Sequence, residues 1–384
     1  LVQRHGRGQA GAWLALLGQW ETADLATQLD QHAATAAASD MLTAEQWLAY
    51  LRARFDEPDL ELAAFSPLPG GFGKQTYLFA VRGTAIDGEY VLRRDPHIPV
   101  FDNDCHRIDR EYAVIAAVHG HGFPAPDVVW LDTQHPDLPG GDFLVMRRAP
   151  GEGGGSVFAA SGSLSEDFSR LLAGILARLH ALPPLPELDA AADSINATRW
   201  AMPLRDCVQA YLDDWLALYA SEGHLPSPTT SALLRWVGDN VPDAPGRPVL
   251  LHGDIGFHNL LLDNGRLTAV LDWEFAHLGD PAEDLAYVRN TIGRMLDWDA
   301  FMAQYREQGG VEVGPERLLF HQVWGQLRNA TAANLLARKF HDGRVDDLKI
   351  AILPNLYIPQ FLKAACELVA EHEALTRSAE VSHG

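Results

Sequence analysis

Apolar and polar positions change their rhythm along the chain. Residues 9–55 are rich in Ala, Leu, Gln and Glu with few β-branched side chains, and QAGAWLALLGQW, TADLATQLDQHAATAAA and TAEQWLAYLRARF predict helices. Thr43, followed by Glu45 and Gln46 and flanked by Leu42, supplies a start signal for the third, and Pro58 closes the segment after Phe55. From about Glu61 the pattern shortens into LELAAFSPLPG, TYLFAVRG and EYVLRR, separated by turn-prone GGFGKQ and TAIDG. His106–Gly120 returns to helical spacing, and FPAPDVVWLD and GDFLVMRRA are again strand-like. The order after the glycine turn is β-β-α-β-β, an antiparallel-leaning sheet with one helix.

Gly151–Ser163 is rich in Gly, Ala and Ser and reads as a linker or mobile crossover. Beyond Leu164 helices dominate, DFSRLLAGILARLHAL being the clearest, until Pro248–Trp273, where two apolar runs flank a DNG turn and predict a hairpin inside a helical domain. The expected class is α+β: a helical N-terminal extension over 1–57, a small sheet lobe over 58–148 and a large, mostly helical lobe over 149–384.

Composition narrows the partners. The 384 residues carry 30 Lys and Arg against 51 Asp and Glu, so 30 − 51 = −21 with His neutral, and 47% of residues are hydrophobic. That is a folding, acidic chain whose average field repels nucleic acid and anionic membrane surfaces. Cys105, Cys207 and Cys366 are too scattered for a disulfide framework or a zinc ribbon and are expected as buried thiols. No run approaches the roughly 20 apolar residues that span a bilayer, so cytoplasmic residence is the default expectation.

The chemistry concentrates in the predicted hairpin. His252, Gly253 and Asp254 are followed five positions after the aspartate by Asn259, and 13 positions further by Asp272 in LDWE. Phosphoryl transfer needs a carboxylate to take the hydroxyl proton, an amide oxygen on one metal, and a carboxylate joining metal to triphosphate. Asp254, Asn259 and Asp272 are those types in that order, and a hairpin would return them to one sheet edge. Upstream, the glycines of LPGGFGKQTY (Gly70, Gly71 and Gly73) can admit backbone N–H groups to a phosphate, although the spacing is not that of a P-loop. In YVLRR, Val91 and Arg93 share one strand face, and Glu111 follows on the next helix, a cation for phosphates with a carboxylate to hold it. Arg94 is the reserve cation, pointed by alternation to the opposite face.

HGDIGFHN followed by LDWEFAHLGDPAEDLAYV resembles the aminoglycoside phosphotransferase and choline kinase superfamily, and more closely the branch that includes kinase-like domains of some acyl-CoA dehydrogenases. The glycine turn with TY, the VLRR strand and RLHALP stand in the same order, so the resemblance covers about residues 60–370. It implies a bilobal protein-kinase-like fold, ATP or sometimes GTP as donor, Mg²⁺, and transfer of the γ-phosphoryl group to a hydroxyl of a small molecule. It assigns the base to Asp254, the metal ligands to Asn259 and Asp272, the phosphate cation to Arg93 with Glu111 as partner, and the adenine hinge to Met146–Arg148 under Val91. Arg93 stands where most kinase-like enzymes carry Lys.

Glu274 in the DWE triplet is a candidate for the metal or substrate region. Asp280 and Asp284 read as helix caps, and His252 as a brace for the loop. For the acceptor, WGQLRNATAANLLARK sets Trp324 and Arg328 on one helical stripe and Asn334 on an adjoining one, with no Asp or Glu between Trp324 and Phe340, which ranks a polycationic aminoglycoside below a hydroxylated metabolite or lipid-derived acceptor. The non-enzymatic alternative is a kinase-fold nucleotide sensor or scaffold. The helical leader would suit the interface of a homodimer.

Overall fold

The computed structural model describes residues 41–68, 73–96, 99, 101, 107–135, 137–153, 164–189, 195–345 and 348–383. The two helices expected within 9–38, Gly70, Gly71 and Cys105 lie outside the described residues. Helix α1 (Ala44–Phe55) begins as its sequence predicts. The Thr43 hydroxyl accepts the N–H of Gln46 at 3.2 Å while the Gln46 side chain accepts that of Thr43 at 3.0 Å, a reciprocal capping box. The helix stops at Asp56 in a left-handed conformation, two residues before Pro58.

The small lobe is one sheet of β1 (Glu61–Leu68), β2 (Gln75–Arg82), β3 (Gly88–Arg94), β4 (Val128–Asp132) and β5 (Phe143–Arg147), in the spatial order β1-β2-β3-β5-β4 with every pair antiparallel. Helix α2 (Ile108–Gly120) connects β3 to β4. One face of the sheet packs under α1, where the wholly buried Trp47 meets Phe79 and Phe143 edge-on at 5.2 and 5.4 Å. Tyr90, Leu92 and Trp130 belong to the same core. α1 thus shares the sheet's core, and a boundary at 57/58 runs between elements that bury each other's apolar surface.

Alternation along β3 decides the site. Arg94 falls on the α1 side, buried, with Nη1 donating to the Pro139 carbonyl at 2.7 Å. Its guanidinium lies over Gly140, where a Cβ would collide with Nη2. Arg94 therefore pins the β4–β5 loop and is no reserve cation. Val91 and Arg93 face the other way, opposite Met146 and Leu144 of β5.

After β5 the chain leaves this sheet. β6 (Glu152–Gly153) pairs with β8 (Leu260–Asp263), so the expected crossover begins as a strand seated on the large lobe. The large lobe contains α3 (Glu166–His180), α4 (Ala197–Ala201), α5 (Leu204–Ser221), α6 (Pro228–Asp239), α7 (Ala282–Ile292), α8 (Trp298–Glu307), α9 (Pro315–His341) and α10 (Ile358–His383). Set among them are β7 (Val249–Leu251), β9 (Arg266–Val270) and β10 (His277–Gly279). β8 and β9 form the predicted hairpin, turned through Asn264 and Gly265 at φ 49° and 77°, the left-handed pair that a tight hairpin demands. Of the described cysteines, Cys207 is buried, whereas Cys366 is exposed, contrary to the expectation for all three; on the amphipathic α10 it falls on the solvent face. Among the described residues no helix is long and apolar enough to cross a membrane.

Candidate active site

β7 delivers the chain into the loop His252–Asn259. The imidazole of His252 is fully buried, with Nε2 2.8 Å from the Leu271 carbonyl and Nδ1 accepting the backbone N–H of Asp254 at 3.2 Å. Those partners define a neutral ring donating through Nε2, which ties the loop to the end of β9. Gly253 has φ +78°, and a Cβ there would lie 2.5 Å from the Phe275 carbonyl, so only glycine passes at this point. Asp254 follows, its side chain 20% exposed, with His258 Nε2 3.7 Å from its carboxylate. Burial opposes ionisation of Asp254, but the neighbouring His258 and Tyr287 side chains outweigh it and hold the carboxyl below its usual range.

The Asn259 amide nitrogen donates to the Asp254 carbonyl at 2.9 Å and to its carboxylate at 3.2 Å, which turns the amide oxygen the other way. Backbone pairing returns the second strand to the same place: the N–H of Leu271 donates to the Asn259 carbonyl at 2.8 Å, and Asp272 is the next residue. Asp272 sits at φ 67°, ψ 67°, a left-handed conformation that Asp tolerates better than most side chains. It is held by Trp273, wholly buried, whose Nε1 donates to the Val270 carbonyl at 2.9 Å and whose ring meets Phe123 edge-on at 5.6 Å.

The small lobe closes the other wall. Arg93 Nε lies 3.0 Å from the Glu111 carboxylate, and its Nη2 binds Asp272 and, at 3.3 Å, Glu274. Burial works against the charge of Arg93, but Asp272, Glu111 and Glu274 outweigh it and keep the guanidinium protonated. Burial also lifts the Glu111 carboxyl above its usual range, with Arg93 partly offsetting. Glu274 is pushed up to about 8 by burial and then by the charge of Asp272, against Arg93. Gly73 stands over Glu274, a Cβ at that position falling 3.3 Å from Oε2.

These walls enclose a cleft of about 490 Å³. Leu78, Val91, Ile115, Met146, Leu261 and Leu271 supply its apolar lining, Lys74 and Asn259 also line it, and Gly73, Glu111, Asp272 and Glu274 gather with Arg93 as its polar end. Arg148 lies on the rim, but its backbone N–H donates to the Glu89 carbonyl at 3.1 Å and its guanidinium pairs with the Glu89 carboxylate at 3.1 Å.

The α9 candidates sit elsewhere. Trp324 is 1% exposed and its Nε1 donates to Glu283 at 3.2 Å. Asn334 is 2% exposed and exchanges both amide bonds with the backbone of Leu225, at 2.7 and 3.0 Å. Their polar atoms are consumed inside the lobe, so neither is placed to meet an acceptor. Arg328 is buried as well, pairing with Glu283 at 3.3 Å, stacking over Phe275 at 5.0 Å and donating to the Gly253 carbonyl. It supports the loop from beneath.

Two participants, Tyr287 and Lys74, escaped the sequence reading, and a third, Asp284, was expected only as a helix cap. Asp284 accepts the backbone N–H groups of both His252 and Gly253 and pairs with His180 at 3.2 Å, so it is a loop brace, whereas Asp280 does cap its helix, accepting from the Ala282 N–H at 2.8 Å. Tyr287 is buried near Asp254, and burial and then the Asp254 charge raise its hydroxyl well above the usual value. Lys74 lines the cleft beside Gly73 and forms an ion pair with Asp95. The signal for Lys74 was the lysine within GGFGKQ; the other two lie on a helix whose sequence does not reveal what it faces.

The cleft, with Asn259 and Asp272 on one wall and an Arg–Glu pair on the other, sits in a bilobal, kinase-like fold, a small antiparallel sheet against a larger helical lobe. A model of the phosphotransferase enzyme family matches residues 64–321, well over half of the chain, and the protein belongs to that family. Acyl-CoA dehydrogenase family member 11 of Gallus gallus is 29% identical over 252 residues, covering 61% of this chain and 31% of the chicken protein. The chain thus spans about a third of that relative's length. The macrolide 2′-phosphotransferase MphH of Brachybacterium faecium shares the fold with a TM-score of 0.51 at 21% identity, over 81% of this chain and 98% of that one. A thermostable mutant of aminoglycoside phosphotransferase APH(4)-Ia, solved with AMP-PNP and hygromycin B, does so with a TM-score of 0.52 at 18% identity, over 85% and 98%.

Proposed function

We propose that the enzyme transfers the γ-phosphoryl group of ATP to a hydroxyl of a small molecule, with Asp254 as the base. The observation that carries this reading is the meeting of Asn259, bonded to Asp254, and Asp272 on one wall with Arg93 and Glu111 on the other. The fold relative solved with AMP-PNP supports an adenine nucleotide in such a cleft. Val91 and Met146 would cover the base at the apolar end while the triphosphate points toward Arg93, Gly73 and Asp272.

The donor set suits a hard divalent cation. Among the described residues no cluster of three His, Cys, Asp or Glu could hold a metal alone; Mg²⁺ is ordinarily bound by one or two carboxylates plus substrate phosphates. Asp272 and the amide oxygen of Asn259 would supply the protein's oxygens, with Glu274 nearby. When bound, Mg²⁺ supplies charge neutralisation on the phosphate oxygens.

Asp254, kept anionic by His258 and Tyr287, would orient the acceptor hydroxyl and take its proton as the new O–P bond forms and the bond to the ADP oxygen breaks. Arg93 would face the phosphate charge, positioned by Glu111. The buried scaffold of His252, Asp284 and Arg328 keeps the loop in place, so most of the acceleration is positioning and electrostatics. The α+β lobes would divide the labour, with nucleotide binding in the segment ending near Arg148 and the acceptor held by the large lobe, in a cytoplasmic enzyme supplied with ATP. A library of hydroxylated metabolites, screened for ADP release with mass detection of a phosphorylated product, tests the reading. Asp272→Ala should abolish metal-dependent turnover, and undiminished turnover in that variant refutes the metal assignment.

A further inference from the structure

Arg93 is shared among three carboxylates, Glu111, Asp272 and Glu274. A triphosphate entering the polar end would meet those carboxylates as well as the guanidinium, and the same end of the cleft holds a second cation. Lys74 lines it directly after Gly73, and Gly73 itself stands over Glu274, which places the lysine at the phosphate end and not the apolar end. The side chain of Lys74 is only 5% exposed and is anchored by Asp95. Asp95 is in turn fixed: its Oδ2 accepts the N–H of Ile108 at 3.2 Å at the start of α2, and its own N–H donates to the Asp142 carbonyl at 2.9 Å. The Lys74 charge reaches both Glu111 and Glu274, lowering each against the burial that raises them.

We infer that Lys74 is a phosphate-binding residue for the nucleotide, a second cation aimed from the glycine turn and steadied by Asp95. An ammonium has three donors, so a contact with Asp95 is compatible with donation to a phosphate oxygen. The inference rests on the proposed nucleotide site and adds a side-chain cation to the glycine turn. The chain contains only four lysines, Lys74, Lys339, Lys349 and Lys363, so the turn draws on the residue this sequence uses least for positive charge.

The test is a ladder of ligands, adenosine, ADP and ATP, titrated calorimetrically against wild type, Lys74→Met and Lys74→Arg. Losing a charge-assisted bond should weaken ATP about tenfold or more in Lys74→Met, weaken ADP less or equally, and leave adenosine unchanged, with Lys74→Arg restoring most of the loss. Unchanged adenosine affinity shows that the variant is folded. Lys74→Gln, which keeps a donor for Asp95, reads the same contrast should the methionine disturb the turn. ATP affinity equal to wild type in the neutral variants overturns the inference, as does an equal loss for adenosine and ATP in both. If wild type binds none of the three, the nucleotide reading itself falls, which separates the two failures.

Discussion

Asp284 receives the backbone N–H of Gly253 through Oδ1 at 2.8 Å and that of His252 through Oδ2 at 3.0 Å, so one buried carboxylate holds both residues that lead into Asp254. His180, 3.2 Å away, helps keep it anionic. Asp284→Asn replaces one acceptor by a donor facing an N–H, which should cost about 1–3 kcal/mol. We expect a lower melting temperature by calorimetry and a fall in kcat larger than any loss of nucleotide affinity. A variant with normal turnover would show that the loop holds its shape without this brace.

Arg328 separates two roles by experiment. It pairs with Glu283, supports the Gly253 carbonyl and is 2% exposed, so Arg328→Met leaves a buried carboxylate short of its partner. The expected cost is about 3–5 kcal/mol, visible as a depressed melting temperature together with a reduced kcat. Arg328→Lys should recover little, because an ammonium cannot reproduce the fork that reaches both partners. A raised KM for the acceptor with unchanged thermal stability would instead return Arg328 to the acceptor role its sequence position suggested.

Acid should destabilise the large lobe. Asp280 is held well below the usual carboxylate range: burial opposes its ionisation, but His321 at 3.3 Å and Arg317 at 2.5 Å outweigh it. A depressed folded pKa contributes stability that is complete above the unfolded value near 4 and is withdrawn as pH falls below it. Stability should therefore fall from about pH 4 downward, by an amount of order 2 kcal/mol from this group alone, read as a falling melting temperature. In Asp280→Asn the protein should be less stable at pH 7 and its acid slope shallower. An unchanged slope would remove Asp280 from the account.

What could be read from sequence follows the distance over which each relationship acts. Asp254, Asn259 and Asp272 were legible because a single hairpin joins them, and a DNG turn announces that hairpin. Val91 and Arg93 were legible because strand alternation sorts neighbours, and the same rule sent Arg94 to the opposite face. Periodicity on α9 grouped Trp324 with Arg328 but said nothing of what would cover them; Glu283 and the Gly253 carbonyl do so. Asp284 looked like a cap because first-turn carboxylates usually are, and its reach to Gly253 crosses 31 positions of sequence. Cys366 was expected inside on composition alone, although an amphipathic helix has a solvent face for any small residue.

The central claim is that Asp254 carries the proton transfer in an otherwise intact nucleotide site. It is tested most directly by comparing wild type with Asp254→Asn in two measurements, Mg-ATP binding by calorimetry and ADP release with the phosphorylated acceptor followed by mass. Asparagine keeps the shape and the bond to Asn259 but cannot take a proton. The account predicts nucleotide affinity within a few-fold of wild type and transfer slowed about 10²–10⁴-fold. Transfer at the wild-type rate in Asp254→Asn would contradict it.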